Sequence, residues 1–196
     1  AINNGLLKMS NTSATPGTAN TVLYGYESWG GANGRYENNG TIDLYSNNTY
    51  YIIGMMASYK GDNISAVNSS SGIIKVVNDN PNALSVSGIT GPTAVTNNGK
   101  IDITSTSGEY VLGIHGYGSV INNGTVDVIT TSSGATYGIY SAATETAINN
   151  ANINVTGISA TKSNIVFGMA GGIAINSSTG VITVNTDDGV GMVDSV

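Results

Sequence analysis

Cysteine is missing from this 196-residue chain, proline occurs three times, and charged side chains make up only 9% of the residues. Without cysteine, a disulfide scaffold and a cysteine-ligated metal site are excluded. Six Lys and Arg against twelve Asp and Glu give a net charge of −6, which argues against binding to nucleic acid or anionic lipid. No apolar run reaches the roughly 20 residues that a membrane span requires.

The chain does contain 27 glycines, many Asn, Ser and Thr residues, and 40% hydrophobic residues. This apolar fraction is large enough for a buried core, so intrinsic disorder is not expected. Glycine, Asn and β-branched residues are too frequent for stable helices, and no segment repeats with a period of 3.6. The composition therefore favours short strands joined by turns.

A short motif recurs seven times along the chain. In its plainest copy, the turn Asn122–Asn123–Gly124 is followed by Thr125–Val126–Asp127–Val128. One residue after the polar turn marks each copy: Gly5, Gly40, Gly72, Gly99, Gly124, Ala151 and Gly180. The markers are 25 to 35 residues apart, and most copies are followed by a second element such as Tyr137–Gly138–Ile139–Tyr140.

The residues that follow each marker alternate with a period of two. The second and fourth are apolar and the third is polar, as in Ile101, Asp102 and Ile103. This alternation is typical of a strand with one buried face. Three short strands in each coil predict an all-β, right-handed parallel β-helix of about seven coils, a single solenoid over residues 1–196. A β-propeller would need longer repeats of about 40–50 residues.

Stacked coils are expected to align equivalent residues in ladders. Apolar side chains at the second and fourth positions would line the interior, and the Asn before each marker would form an amide ladder. No polar capping segment is visible at either end, and bare edge strands invite pairing with other chains. The chain is therefore expected to be a segment of a longer repeat protein.

The pattern Asn-Asn-Gly-Thr-Ile-Asp-Val followed by Tyr-Gly-Ile-Tyr resembles the β-helical passenger of autotransporter adhesins, which Gram-negative bacteria export by type V secretion. The resemblance covers nearly the entire chain. It implies a β-helical stalk, associated with adhesion and virulence, that crosses the outer membrane and is displayed at the cell surface. It implies no binding residue, because that family has no universal binding motif.

Aromatic residues are concentrated early in the chain, where eight of the 13 lie within residues 24–59. Tyr and Trp offer apolar faces with polar tips to sugars and peptides. Trp29, Tyr45, Tyr50 and Tyr51 are therefore the candidate binding residues, in a region (residues 20–60) that also holds the longest repeats. The alternative is that several aromatics, Tyr24 and Tyr26 among them, point into the core.

Acidic residues are the other candidates. Asp43, Asp102 and Asp127 share one outward strand position, where carboxylates can bind Ca²⁺ or cleave polysaccharide. Other copies carry Lys, Asn or Thr there, which is typical of a solvated face. His115 is separated by about 70 residues from the acidic pair Asp187–Asp188. The sequence predicts no catalytic residue, no metal site and no cofactor.

These features predict a non-enzymatic, monomeric adhesin or stalk segment at the cell surface, whose partner is a protein or glycan of host or bacterial cells. Two alternatives stay open: a β-helix enzyme that degrades polysaccharide, and a structural spacer without a ligand. A cleft with clustered carboxylates would favour the enzyme. An exposed aromatic patch would favour the adhesin, and an evenly neutral surface the spacer.

Overall fold

The computed structural model describes residues 1–13, 21–29, 33–58, 63–91, 93–142, 144–158, 165–186 and 189–194, without the side chains of residues 28, 29, 33, 58, 63 and 189–194. Regular structure in these ranges is entirely β strand, and no helix within them could span a membrane. In chain order the strands are β1 (Ile2–Asn3), β2 (Leu6–Asn11), β3 (Val22–Trp29), β4 (Asn33–Asn38), β5 (Thr41–Ser46), β6 (Tyr51–Ser58), β7 (Asn63–Asn68), β8 (Ile73–Asn78), β9 (Ser85–Gly91), β10 (Ala94–Asn97), β11 (Lys100–Ser105), β12 (Tyr110–Gly116), β13 (Ser119–Asn122), β14 (Thr125–Thr130), β15 (Ala135–Ser141), β16 (Thr146–Asn149), β17 (Asn152–Gly157), β18 (Val166–Gly171), β19 (Ile173–Asn176), β20 (Val181–Asn185) and β21 (Gly189–Asp194).

The strands form three parallel sheets of seven strands each. Sheet A contains β1 and every third strand to β19, sheet B runs in the same way from β2 to β20, and sheet C from β3 to β21. Each strand pairs with the strand three places along the chain, so every coil supplies one strand to each sheet. The parallel β-helix predicted from the repeat is confirmed.

Ladders of aliphatic side chains from sheet B line the interior. Ile101 pairs with Ile74 in the preceding coil and with Val126 in the next, so the repeat sets the register. In the five central coils these side chains are at most 1% exposed: Ile42, Leu44, Ile74, Val76, Ile101, Ile103, Val126, Val128, Ile153 and Val155. Full burial of each contributes about 1.5–3 kcal/mol, which makes the continuous core the main source of stability.

A column of glycines in sheet C lets this sheet approach sheet B closely. A Cβ atom on Gly88 would lie 2.5 Å from Cγ2 of Ile101 and 2.6 Å from the carbonyl oxygen of Gly113 in the next coil. Equivalent clashes recur at the other glycines of the column, Gly25, Gly54, Gly113 and Gly138. This close approach explains why the second repeated element has glycine at its centre.

Asparagine amides form a ladder along the corner between sheets A and B. Each Nδ2 donates to Oδ1 of the residue one coil further on, at 2.8 Å, through Asn3, Asn38, Asn68, Asn97, Asn122, Asn149 and Asn176. In coils with the Asn-Asn-Gly turn, this buried ladder uses the first Asn, one residue earlier than predicted. The second Asn forms short exposed ladders instead, such as Asn150 to Asn123 at 2.8 Å and Asn123 to Asn98 at 2.9 Å.

Candidate functional site

The outer face of sheet C is rich in aromatic side chains. Its central column pairs Tyr24, Ile53, Ser87, Leu112, Tyr137 and Phe167 from successive coils. A flanking column, which follows each central glycine by two residues, contains Glu27, Met56, Thr90, His115, Tyr140 and Ala170. Strict alternation would place Tyr137 and Tyr140 on opposite faces, because they are three residues apart. The alternation is interrupted at the central glycine, where Gly138 and Ile139 are both buried, so both columns lie on the outer face.

Five rings on this face form a continuous line, here called the aromatic row: Tyr117, His115, Tyr140, Tyr137 and Phe167. Successive ring centroids are 4.5, 5.4, 5.1 and 4.8 Å apart. Tyr137 and Phe167 are stacked at an interplanar angle of 11°, whereas the other contacts are tilted by 49° to 56°. Each such pair contributes about 0.5–1.5 kcal/mol beyond its buried area, so these contacts stabilise the line of rings across three coils.

The aromatic row forms because equivalent positions of successive repeats pair in register. Tyr137 and Phe167 directly precede the central glycine of successive strands, and their register pairing brings the rings together. His115 and Tyr140 follow that glycine by two residues and pair in the same way. Tyr117 lies in the turn after β12 and is 60% exposed, whereas the other four rings are half-buried.

Electrostatically, the aromatic row is neutral near pH 7. Burial lowers the pKa of His115 below its ordinary value of 6.5, so the imidazole is uncharged. Burial, followed by the neighbouring Tyr140 and Tyr110, raises the pKa of Tyr137 above 10.0, so this phenol keeps its proton. Within the described ranges, no ion pair involves a residue of the row. The row therefore offers apolar rings and neutral hydrogen-bonding tips.

The binding residues predicted from the sequence lie on two different faces. Tyr51 begins β6 in sheet C, and its ring makes an edge contact with Tyr50 at 5.2 Å. Tyr45 lies on the outer face of sheet B, where a hydrogen bond with Asp79 raises the pKa of its phenol. The side chain of Trp29 lies outside the described part of the structure, and so does the whole of Tyr59.

Some of the aromatic residues that are concentrated within residues 24–59 belong to the core. Tyr36 is buried, and Tyr26 packs against the core and contacts the Tyr36 ring at 6.3 Å between centroids. Tyr24 points outward instead, and burial, followed by the nearby Glu27 and Tyr51, raises the pKa of its phenol. The aromatic row was not predicted from the sequence, because its rings come from separate coils. The available signal was their spacing: 25 residues separate His115 from Tyr140 and 30 separate Tyr137 from Phe167, one coil in each case.

The outward carboxylates of sheet B are held in ion pairs. Lys100 Nζ lies 2.8 Å from Oδ1 of Asp102 and 3.6 Å from Oδ2 of Asp127. The hydrogen bond with Asp102 raises the pKa of Lys100. Asn154 donates from Nδ2 to Oδ1 of Asp127 at 2.7 Å. A cation would therefore have to compete with an ammonium group that already contacts both carboxylates.

A shallow depression of about 290 Å³ lies over this part of sheet B. Its rim combines carboxylates, an amide, hydroxyls and one exposed aliphatic side chain: Asp102, Asp127, Asn154, Thr104, Thr156 and Ile129. Among the residues with described positions, no group of three His, Asp or Glu side chains is placed to hold a metal ion. Asp187 and Asp188 lie outside the described residues, so their relation to His115 stays open.

Comparison with known proteins finds no matching family model, no similar curated protein and no similar solved structure. The functional assignment therefore depends on the repeat and on the geometry of the two outer faces.

Proposed function

We propose that this chain is a segment of a surface-exposed adhesin or adhesin stalk, and that the aromatic row is its contact surface for a protein or glycan on host or bacterial cells. The observation that carries the proposal is the unbroken line of five rings on an outward sheet face. Tyr supplies large, rigid contact area with a polar tip at low entropic cost, which is why it is frequent at recognition surfaces.

The resemblance of the repeat to autotransporter passengers supports the cellular part of the proposal, which is export by type V secretion and display at the surface of a Gram-negative bacterium. A rigid solenoid suits this role, because it separates a contact surface from the membrane and presents many side chains along its length. Neutral aromatic surface suits contact with sugars and peptides better than contact with nucleic acid, which requires clustered cations.

The polysaccharide-degrading alternative draws on Asp102 and Asp127. A glycosidase needs one carboxyl group that holds its proton as a general acid, usually in an apolar pocket. Asp102 and Asp127 are instead partly exposed, and both contact the ammonium group of Lys100. This geometry supports a solvated structural face more than a catalytic pair.

A cell-binding assay with purified protein tests the proposal. We expect Tyr117→Ala combined with Tyr140→Ala to reduce binding to epithelial and bacterial cells by tenfold or more. Ile173→Ala on sheet A is the control, because it removes an exposed apolar side chain from a different face. Melting curves followed by circular dichroism check that each variant is folded. Equal binding by the folded double variant and the wild type would contradict the proposal and favour the spacer alternative.

A further inference from the structure

His115 and Thr90 carry hydrogen-bonding groups that the described structure leaves without partners. The two residues pair in register between β12 and β9, on the outer face of sheet C. Thr90 is 8% exposed, and its Oγ1 is shielded from water without a hydrogen bond. No hydrogen bond to an imidazole nitrogen of His115 occurs among the described residues, although Tyr117 and Tyr140 contact the ring. The shielded Oγ1 of Thr90 has no hydrogen bond, which costs free energy that a suitable ligand can recover.

The groups around His115 suit an uncharged ligand. Burial alone accounts for the lowered pKa of His115, with no contribution from a nearby charged side chain. The Lys and Arg residues that the structure describes lie on sheets A and B: Lys8, Arg35, Lys75 and Lys100. A phosphate, sulfate or carboxylate ligand would find no described cation on this face to pair with.

The same groups suit a ligand that has both hydroxyls and an apolar face. A neutral imidazole has one donor and one acceptor nitrogen, and each Tyr or Thr hydroxyl can donate and accept. The rings of Tyr117 and Tyr140 both contact the imidazole, at 4.5 and 5.4 Å between centroids. A sugar ring matches this combination, since its hydroxyls donate and accept while its C–H groups pack on aromatic rings.

We propose that His115, Thr90, Tyr117 and Tyr140 form a subsite for one uncharged pyranose ring of a cell-surface glycan. The inference rests on the proposed adhesin function and names its ligand class. Because Oγ1 of Thr90 is shielded in the free protein, the sugar contact requires rotation of neighbouring side chains. The exposed Tyr117 ring and the half-buried imidazole are side chains that can move without a change in the backbone.

The test combines a glycan array with two point variants of the full chain. The array presents uncharged oligosaccharides beside their sialylated and sulfated counterparts, and titration calorimetry then gives Kd for the best uncharged binder. We expect the wild type to prefer uncharged glycans. His115→Phe keeps a ring but removes both nitrogens, and should weaken that binding tenfold or more. Thr90→Val removes only the hydroxyl, and should weaken it at least threefold.

Thr136→Val is the matched control. Oγ1 of Thr136 is also shielded and without a partner, but Thr136 belongs to the inward column of sheet C and is fully buried. Both Thr→Val changes should leave the melting temperature unchanged or raise it, because each removes an unpaired polar atom. Only Thr90→Val should affect glycan binding.

The possible outcomes separate this inference from the adhesin proposal. Cell binding that depends on Tyr117 and Tyr140, together with an empty array, overturns the glycan subsite and leaves the adhesin proposal standing with a protein partner. A preference for acidic glycans also overturns the subsite. So does binding to uncharged glycans that neither His115→Phe nor Thr90→Val weakens. Absence of both cell and glycan binding overturns both.

Discussion

The side-chain amide of Asn97 donates from Nδ2 to Oδ1 of Asn122 at 2.8 Å, as one step of a ladder that repeats in every coil. The orientation of each amide is fixed by its other contacts, because the Asn122 Nδ2 also faces the carbonyl oxygens of Gly124 and Asn152 at 3.1 and 3.2 Å. Three acceptors around one nitrogen exclude the flipped amide. The ladder therefore has a single direction along the solenoid.

Asn122→Asp should be strongly destabilising. It replaces a buried donor by a carboxylate oxygen that faces three acceptors, and a buried charge without a partner costs about 3–5 kcal/mol. Asn123→Asp is the control, because the neighbouring residue is exposed and its ladder contact is at the surface. We expect Asn123→Asp to cost no more than about 1 kcal/mol. Urea unfolding followed by circular dichroism measures both, and similar midpoints for the two variants would contradict the assigned role of the inner ladder.

The glycine column gives a second stability prediction. Gly88→Ala would place a methyl group against Ile101 and the Gly113 carbonyl, and overpacking of this kind costs about 1–3 kcal/mol. Gly5→Ala is the control, because a Cβ on Gly5 meets nothing within 4 Å. Thermal melting of the two variants should show a lowered midpoint for Gly88→Ala alone. If both midpoints match the wild type, sheets B and C tolerate a wider separation than we infer.

Much of the fold was predictable because one local rule repeats. Ile101, Asp102 and Ile103 alternate between buried and outward positions, and parallel stacking transmits that alternation to every coil. The buried amide ladder was predicted one residue too late. The sequence contains the information that would have placed the ladder correctly. Copies with a longer turn keep Asn68 and Asn176 but have Ser in place of the following Asn.

The candidate site was harder to predict because it depends on contacts between coils. Tyr26 and Tyr36 are adjacent to outward residues in the sequence, yet both pack against or within the core. Residues 20–60 were predicted to carry recognition, whereas the aromatic row lies in β12, β15, β18 and the turn after β12. Ring contacts of this kind form only where an aromatic residue pairs with another aromatic residue in the neighbouring coil. A search for aromatic residues close together in the sequence does not detect such pairs.

Lys100 changes the expected behaviour of the outward carboxylates. Repulsion between Asp102 and Asp127 alone would make Asp102→Asn neutral or mildly stabilising. Because Lys100 contacts both carboxylates, we expect Asp102→Asn to be neutral to slightly destabilising. Lys100→Gln leaves the two carboxylates facing each other and should cost up to about 1 kcal/mol at low salt. Urea midpoints in 20 mM and 1 M NaCl measure this effect, which should nearly vanish at the higher concentration because salt screens exposed charges. A loss that persists in 1 M NaCl would point to packing by the Lys100 side chain instead.

His115 makes stability depend on pH in one direction. The pKa of its imidazole is lowered from 6.5 in the folded chain, so the unfolded chain binds a proton first as the pH falls. Stability is therefore complete above pH 6.5 and decreases as the pH drops from 6.5 towards the folded-state pKa. The groups that face the imidazole in ring contact or register are Tyr117, Tyr140 and Thr90, and none of them is a carboxylate or an ammonium group. Since His115 is the chain's one histidine, His115→Phe should abolish most of the change in urea midpoint between pH 7 and pH 5.5. Parallel slopes for wild type and variant over that interval would show that burial of the imidazole is weaker than the structure indicates.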